Sequence, residues 1–312
     1  ELFRQSSDKT VQVIWDIKQL TGRDGISCKA EICYLCKAKS EFMKKPISGL
    51  LLFLSFTFII TWSIDFALVI PMAHKYGSGK NVILSLIVSS TMFLPALSAL
   101  ITRFITKEGF AHSGLRPHFK GNLKHYFSAW FGMQILAIAG AVLYFLIFRE
   151  NWDPDHTYIL GQFEGTGSAM APEAIMKTFF IQTAMALTIA PLVNFIPCFG
   201  EEWGWRGYMM PKLLKLMDFS PACIVGGIIW GIWHAPLIAV GHNYGLGYAG
   251  APWTGIAMMS LFCVAAGKVF TYWCVKNGSC IPAIIGHGAI NGFAAAPTFF
   301  IADNSRAILG PT

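Results

Sequence analysis

Seven stretches of this chain run for about twenty residues with almost no charge: Ile47–Pro71, Val82–Arg103, Tyr126–Phe148, Met176–Pro197, Ala222–Val240, Thr254–Val275 and Cys280–Ile301. Runs of that length match the ~20 apolar residues a helix needs to cross the hydrocarbon core of a bilayer. Lipid offers the backbone no hydrogen bonds, so each run must close its own as a helix. The pattern predicts an all-α, polytopic transmembrane helical bundle of seven helices, or eight if Phe195–Leu214 forms its own element. Gly109, Gly114, Pro117 and Gly121 mark 107–124 as a surface loop, and four glycines do the same for 241–252. Residues 1–42 are polar, with one predicted short helix, Val11–Leu20, capped by Ser7 or Asp8 and stopped by Gly22. Met43-Lys-Lys-Pro before the first run resembles a signal-anchor start, since no Ala-x-Ala pattern follows. The expected segments are an N-terminal extension over 1–46, a bundle over 47–301 and a tail over 302–312.

Composition agrees with that reading. The chain is 54% hydrophobic and 13% charged with mean hydropathy +0.52, against about 25% charged in a soluble domain. The net charge of +7 is no nucleic-acid signal, because it sits beside the apolar runs. Residues 1–46 hold nine Lys/Arg and 103–124 hold five, whereas 149–177 carries five acids against Arg149 and Lys177. The positive-inside rule then places the N-terminus in the cytoplasm and the acidic loop outside. Cys28, Cys33 and Cys36 lack a fourth zinc ligand nearby, and the cysteines within the spans read as small apolar residues.

Against this background Gly-Glu-Glu-Trp-Gly-Trp-Arg-Gly stands out, with Glu201, Glu202 and Arg206 in one apolar region. An acid at a bilayer centre costs roughly 2.5–3.5 kcal/mol on insertion scales and marks a functional site by default. Glu202 and Arg206 share a helix face at i,i+4, so they are expected to pair. Glu201 points about 100° away and is left without a sequence-local partner. Further along, His234 lies mid-span, and His287 precedes Asn291 by four residues on one face. At 1.5 Å rise per residue Glu202, His234, His287 and Asn291 fall ~11–18 Å deep, compatible with one site. Gly227/Gly231 and Gly288/Gly292 have the small-xxx-small spacing of close helix contacts, expected to bring the histidine helices near the acids.

Glu-Glu-x-x-x-Arg, aromatic-x-x-x-His and His-x-x-x-Asn, in that order over about Phe179–Ala294, resemble the CAAX protease and bacteriocin-processing family of intramembrane proteases. The resemblance implies a helical endopeptidase, commonly of eight helices, with Glu201, Glu202, Arg206, His234, His287 and Asn291 around a water-accessible cavity. Trp230 stands where that family more often has phenylalanine. The chemistry expected is a water activated by Glu201 with help from His234, an oxyanion held by His287 and Asn291, and a brace formed by Glu202–Arg206. Zinc held by Glu201, His234 and His287 is the rival arrangement, disfavoured by the absence of His-Glu-x-x-His. The expected partners are the lipid bilayer and a peptide or membrane-protein substrate, prenylated or not, and no nucleic acid.

Two other classes stay open, a membrane transporter and a non-proteolytic immunity or scaffold protein. The polar residues gather in the second half of the chain, with no matching set in 47–170 to support an inverted repeat. The remaining polar groups carry plainer expectations. Asp65 is expected to be solvated at the interface, and His74, His112, His118, His125 and His156 to be solvated in loops or at span ends. Trp203, Trp205, Trp230 and Trp233 are expected to pack or anchor.

Overall fold

The computed structural model describes residues 28–77, 81–165 and 171–310, with side chains from Pro46 onward apart from Pro172. The predicted helix Val11–Leu20 and the side chains of Cys28, Cys33 and Cys36 lie outside what is described. The chain divides into two compact units, residues 1–45 and 46–312. Among the described residues there is no sheet, only an isolated bridge between Trp152 and Ile301.

Each of the seven apolar runs is helical. In order the elements are α1 (Cys28–Ile64), a π turn (Asp65–Val69), α2 (Ile70–Tyr76), α3 (Val82–Thr91), α4 (Leu94–Thr106), α5 (Leu123–Ile147), α6 (Thr157–Gly165), α7 (Pro172–Thr188) and α8 (Ala190–Val193). There follow α9 (Phe195–Gly204), a second π turn (Trp205–Met209), α10 (Met210–Leu216), α11 (Phe219–Trp233), α12 (Ala235–Ala239), α13 (Trp253–Asn277) and α14 (Ile281–Phe293). Among the described residues four stretches are long and apolar enough to cross a membrane: Pro46–Tyr76, Val82–Thr106, Leu123–Ile147 and Trp253–Asn277. Of the other three, Pro191 and Pro236 interrupt two, and α14 ends at Phe293 before a 3₁₀ turn at Ala296–Phe300. The stretch left open as an eighth element is helical throughout from Phe195 to Leu216.

Proline removes backbone hydrogen bonds from the helices, and side chains from neighbouring helices satisfy the freed carbonyls. Pro191 has no N–H for the carbonyl of Leu187, and Trp130 Nε1 donates there at 2.8 Å. Pro211 has none for Gly207, whose carbonyl accepts from Arg103 Nη2 at 3.2 Å. A membrane bundle tolerates proline on this condition. Other prolines fall in the first turn of a helix, as at Pro95, Pro236 and Pro282, where no intrahelical N–H is required.

The core lies between α9–α11, α13 and α14, where Trp205, Tyr208, Trp230, Trp233 and Phe270 pack together. Outward, α5 exposes Phe127, Phe131, Ile135, Val142 and Leu146, the surface of a helix that faces lipid. α13 packs along α11, and α14 packs along α5 and against α8.

Candidate active site

The acid-bearing segment is seated by two glycines that bracket the acids. A Cβ on Gly200 would stand 2.5 Å from the Met92 carbonyl oxygen, and one on Gly204 2.4 Å from Pro95 Cβ. Backbone therefore lies against the start of α4 with no room for a side chain, and this fixes the height of Glu201 and Glu202. The π turn follows directly and carries Arg206. Gly267 on α13 makes room for the guanidinium, since a Cβ there would meet Arg206 Nη2 at 2.8 Å.

Both acids are buried, Glu202 completely and Glu201 to 2% exposure. Glu202 Oε1 accepts from Arg206 Nη1 at 2.9 Å, the i,i+4 pair expected, and also engages His287 Nδ1 at 2.9 Å. Its other oxygen, Oε2, is sealed without a partner. Glu201 has a partner that its local sequence does not supply: Trp230 Nε1 donates to its Oε2 at 2.7 Å. Glu201 Oε1 makes no hydrogen bond among the described residues and is not sealed in the way Glu202 Oε2 is. Of the two acids, Glu201 is the one with an oxygen left for another group.

The histidines arrive on separate helices. His234 ends α11, and its Nδ1 lies 2.9 Å from the carbonyl oxygen of Trp230. A carbonyl only accepts, so Nδ1 carries the proton and Nε2 keeps a lone pair. His287 Nδ1 faces a carboxylate oxygen and carries its proton for the same reason. Its ring is held edge-on by Trp230 (5.4 Å, 73°) and stacked by Phe270 (5.8 Å, 28°). Asn291, one turn further on α14, is exposed and donates through Nδ2 to Cys198 Sγ at 3.6 Å. The cluster is closed at Glu202–Arg206 and open at Asn291.

Of the six residues singled out in the sequence, Glu202, Arg206 and His287 form one hydrogen-bonded group. Glu201 and His234 join it through Trp230, and Asn291 touches Cys198. Trp230 was expected only to pack, yet it contacts Glu201, Arg206, His234 and His287. Cys198, expected as a small apolar residue, is the acceptor for Asn291. Trp230 was marked only as the aromatic position of the second motif, and Cys198 had no signal beyond lying three residues before Glu201.

Several expectations are corrected. Gly227 and Gly231 do allow a close approach, but toward Val264 and Ser260 of α13 (2.4 and 2.3 Å for an added Cβ) rather than toward the acid segment. Gly288 and Gly292 do approach the chain leading into that segment, at Pro191, Asn194 and Ala190. Asp65 is not solvated but wholly buried, because the helix face Thr61, Asp65, Val69 and Ala73 turns inward against the α12 region. His156 is buried as well, its Nδ1 donating to the Phe299 carbonyl at 2.7 Å. His242 lines an apolar cavity of about 160 Å³ with Val69, Leu84, Leu237 and Val240. No three His, Cys, Asp or Glu side chains among the described residues are placed to hold a metal ion. Glu201, His234 and His287 therefore do not fit a zinc site as they stand.

Residues 182–293 match the family model of the Rce1-like type II CAAX prenyl endopeptidases. A curated relative, CAAX prenyl protease 2 of Methanococcus maripaludis, is 39% identical over 93 residues. Those residues are 29% of this chain and 34% of the relative, so the chain spans about a third of the length of the curated protein it matches. The matched region contains all three motifs, and the resemblance to the CAAX protease family is borne out over it.

Proposed function

We propose that the chain is an intramembrane endopeptidase of the CAAX protease family, cleaving a peptide bond in a membrane-associated, prenylated CAAX-type protein or peptide. The observation that carries the reading is the division of labour between the two acids. Glu202 is saturated by Arg206 and His287 on one oxygen and sealed on the other, whereas Glu201 is tethered by one oxygen and keeps the second.

In this reading Glu201 Oε1 accepts a proton from water as the water attacks the scissile carbonyl. His234 keeps a lone pair on Nε2 because its Nδ1–H is committed to a backbone carbonyl, so it can share that proton. Peptide hydrolysis then needs donors for the oxyanion. The Asn291 amide is accessible, and His287 in its protonated form offers Nε2–H. The Glu202 carboxylate beside Nδ1 is the counter-ion that such an imidazolium requires. A proton must finally reach the leaving amine, and the protonated Glu201 supplies it. The charge bias along the sequence supports a cytoplasmic side for residues 103–124 in a multi-pass membrane protein.

The test is single-turnover cleavage, in detergent or liposomes, of a farnesylated CAAX tail peptide and its unmodified twin. The wild type is expected to cleave the farnesylated peptide faster, and Glu201→Gln to lose activity by 100-fold or more, the scale of a positioned general base (about 10²–10⁴-fold). Cleavage by Glu201→Gln at the wild-type rate rejects Glu201 as the base, and failure of the wild type on both peptides rejects the activity.

A further inference from the structure

We propose that Trp230 is the positioning residue of the Glu201 carboxylate, an inference that rests on the endopeptidase reading above. The aromatic residue four positions before His234 is expected to be phenylalanine from the family resemblance, and phenylalanine supplies only a ring. Here the ring performs the packing: Arg206 Cζ lies 4.2 Å from its centroid, and the His287 ring meets it edge-on at 5.4 Å. The indole then adds what phenylalanine lacks, an N–H aimed at Glu201 Oε2 over 2.7 Å with both residues 2% exposed.

The indole cannot easily move from that position. Gly227 and Gly231 bracket Trp230 and hold α11 at backbone contact with Val264 and Ser260 of α13. The same helix α13 brings Phe270 to the indole at 6.1 Å, so ring and backbone are fixed by one neighbour. A rigid donor on a rigid helix can hold a reacting group to within the few tenths of an ångström that positioning demands.

The consequence falls on one oxygen. With Oε2 committed to the indole, rotation of the carboxylate is arrested and Oε1 becomes the oxygen presented to water. The other groups that bear electrostatically on Glu201 are Glu202, Arg206, His287, Cys198 and Cys263, and His234 contacts the same indole. Among the described residues none of these donates a hydrogen bond to Glu201, so nothing replaces the indole when it is removed. Trp230 acts on the reaction through Glu201, and its loss is predicted to fall on kcat rather than on KM.

The test uses the full chain in detergent. Trp230→Phe keeps an aromatic ring at the position and deletes the donor, together with part of the buried ring volume. Its kcat on the peptide cleaved by the wild type is expected to fall about 10- to 100-fold, the value of one charge-assisted hydrogen bond, with KM within about 2-fold and a cooperative thermal transition retained. A kcat within about 3-fold of the wild type overturns the proposal, and so does a loss matched by an equal rise in KM. Should Trp230→Phe fail to fold, the contact is read directly from the Trp230 indole ¹⁵N–¹H resonance in ¹⁵N-tryptophan-labelled protein. That resonance is expected to move upfield in Glu201→Gln, where a weaker neutral acceptor replaces the carboxylate, and an unmoved resonance overturns the proposal. A wild type inactive on every peptide would sink the endopeptidase reading instead, while the indole resonance would still report on the tether.

Discussion

Arg206→Met is the most exposing perturbation available in this bundle, because it removes one partner of a fully buried ion pair and leaves the other in place. Glu202 has no exposure, and its Oε1 is shared between Arg206 Nη1 and His287 Nδ1, each at 2.9 Å. Two unit charges 2.9 Å apart attract by about 6 kcal/mol at an effective dielectric of 20, a ceiling from which the desolvation of both groups must be subtracted. Removing a single partner of such a pair typically costs about 3–5 kcal/mol, since the remaining charge keeps its desolvation penalty. The guanidinium also lies 4.2 Å from the Trp230 centroid and 5.2 Å from that of Phe270, and a desolvated contact of this kind is worth about 2 kcal/mol. Arg206→Met is therefore expected to lose about 4 kcal/mol or more of folding stability. Equilibrium unfolding in mixed micelles, followed by tryptophan fluorescence, measures it. The double variant Glu202→Gln/Arg206→Met removes both charges and is expected to recover at least half of the loss. A single variant within about 1 kcal/mol of the wild type would refute the reasoning, as would a double variant no more stable than Arg206→Met.

Other consequences are open to the same measurements. Gly231→Ala puts a methyl 2.3 Å from Ser260 Cα and should cost about 1–3 kcal/mol through forced separation of α11 and α13; Gly140→Ala, where nothing lies within 4 Å, should be neutral or stabilising. Asp65→Leu should raise stability by about 1–3 kcal/mol, since both carboxylate oxygens are buried without a partner. Lower cleavage by the more stable Asp65→Leu protein would show instead that the acid serves the reaction. In the loop before α6, burial alone would raise the Asp153 pKa. Donors outweigh it, namely the Thr157 hydroxyl and the amides of Thr157, Asp155 and Tyr158, and bring the carboxyl below its usual 3.8. A depressed folded value contributes stability that is complete above the ordinary carboxylate range and is lost as pH falls through the folded value. Protection factors in α6, taken relative to the intrinsic exchange rate at each pH, should therefore fall in acid for the wild type, and Asp153→Asn should be less protected at neutral pH with a flatter acid response.

What the sequence made legible follows from how far each interaction reaches along the chain. The apolar runs are visible because membrane thickness sets their length, and Glu202–Arg206 is visible because one helical turn joins its members. The tether from Trp230 to Glu201 crosses 29 residues, and an aromatic residue in an apolar helix carries no mark that tells a packing ring from a hydrogen-bond donor. Glycine spacing behaves in the same way. It announces a close approach without naming the partner, so Gly227 and Gly231 face α13 while Gly200 and Gly204, unremarked beside the acids, are the residues that seat them against α4. Asp65 was misplaced because depth along a span says nothing about which face of the helix turns inward. A bilayer interior sharpens these blind spots. There Pro191 and Pro211 each vacate a carbonyl that must find another donor, and the donors that reach them, Trp130 and Arg103, come from helices 57 and 104 residues away. Polar atoms of side chains distant in sequence thus complete the bundle, and Trp230, which the sequence leaves to packing or anchoring, does so for the Glu201 carboxylate.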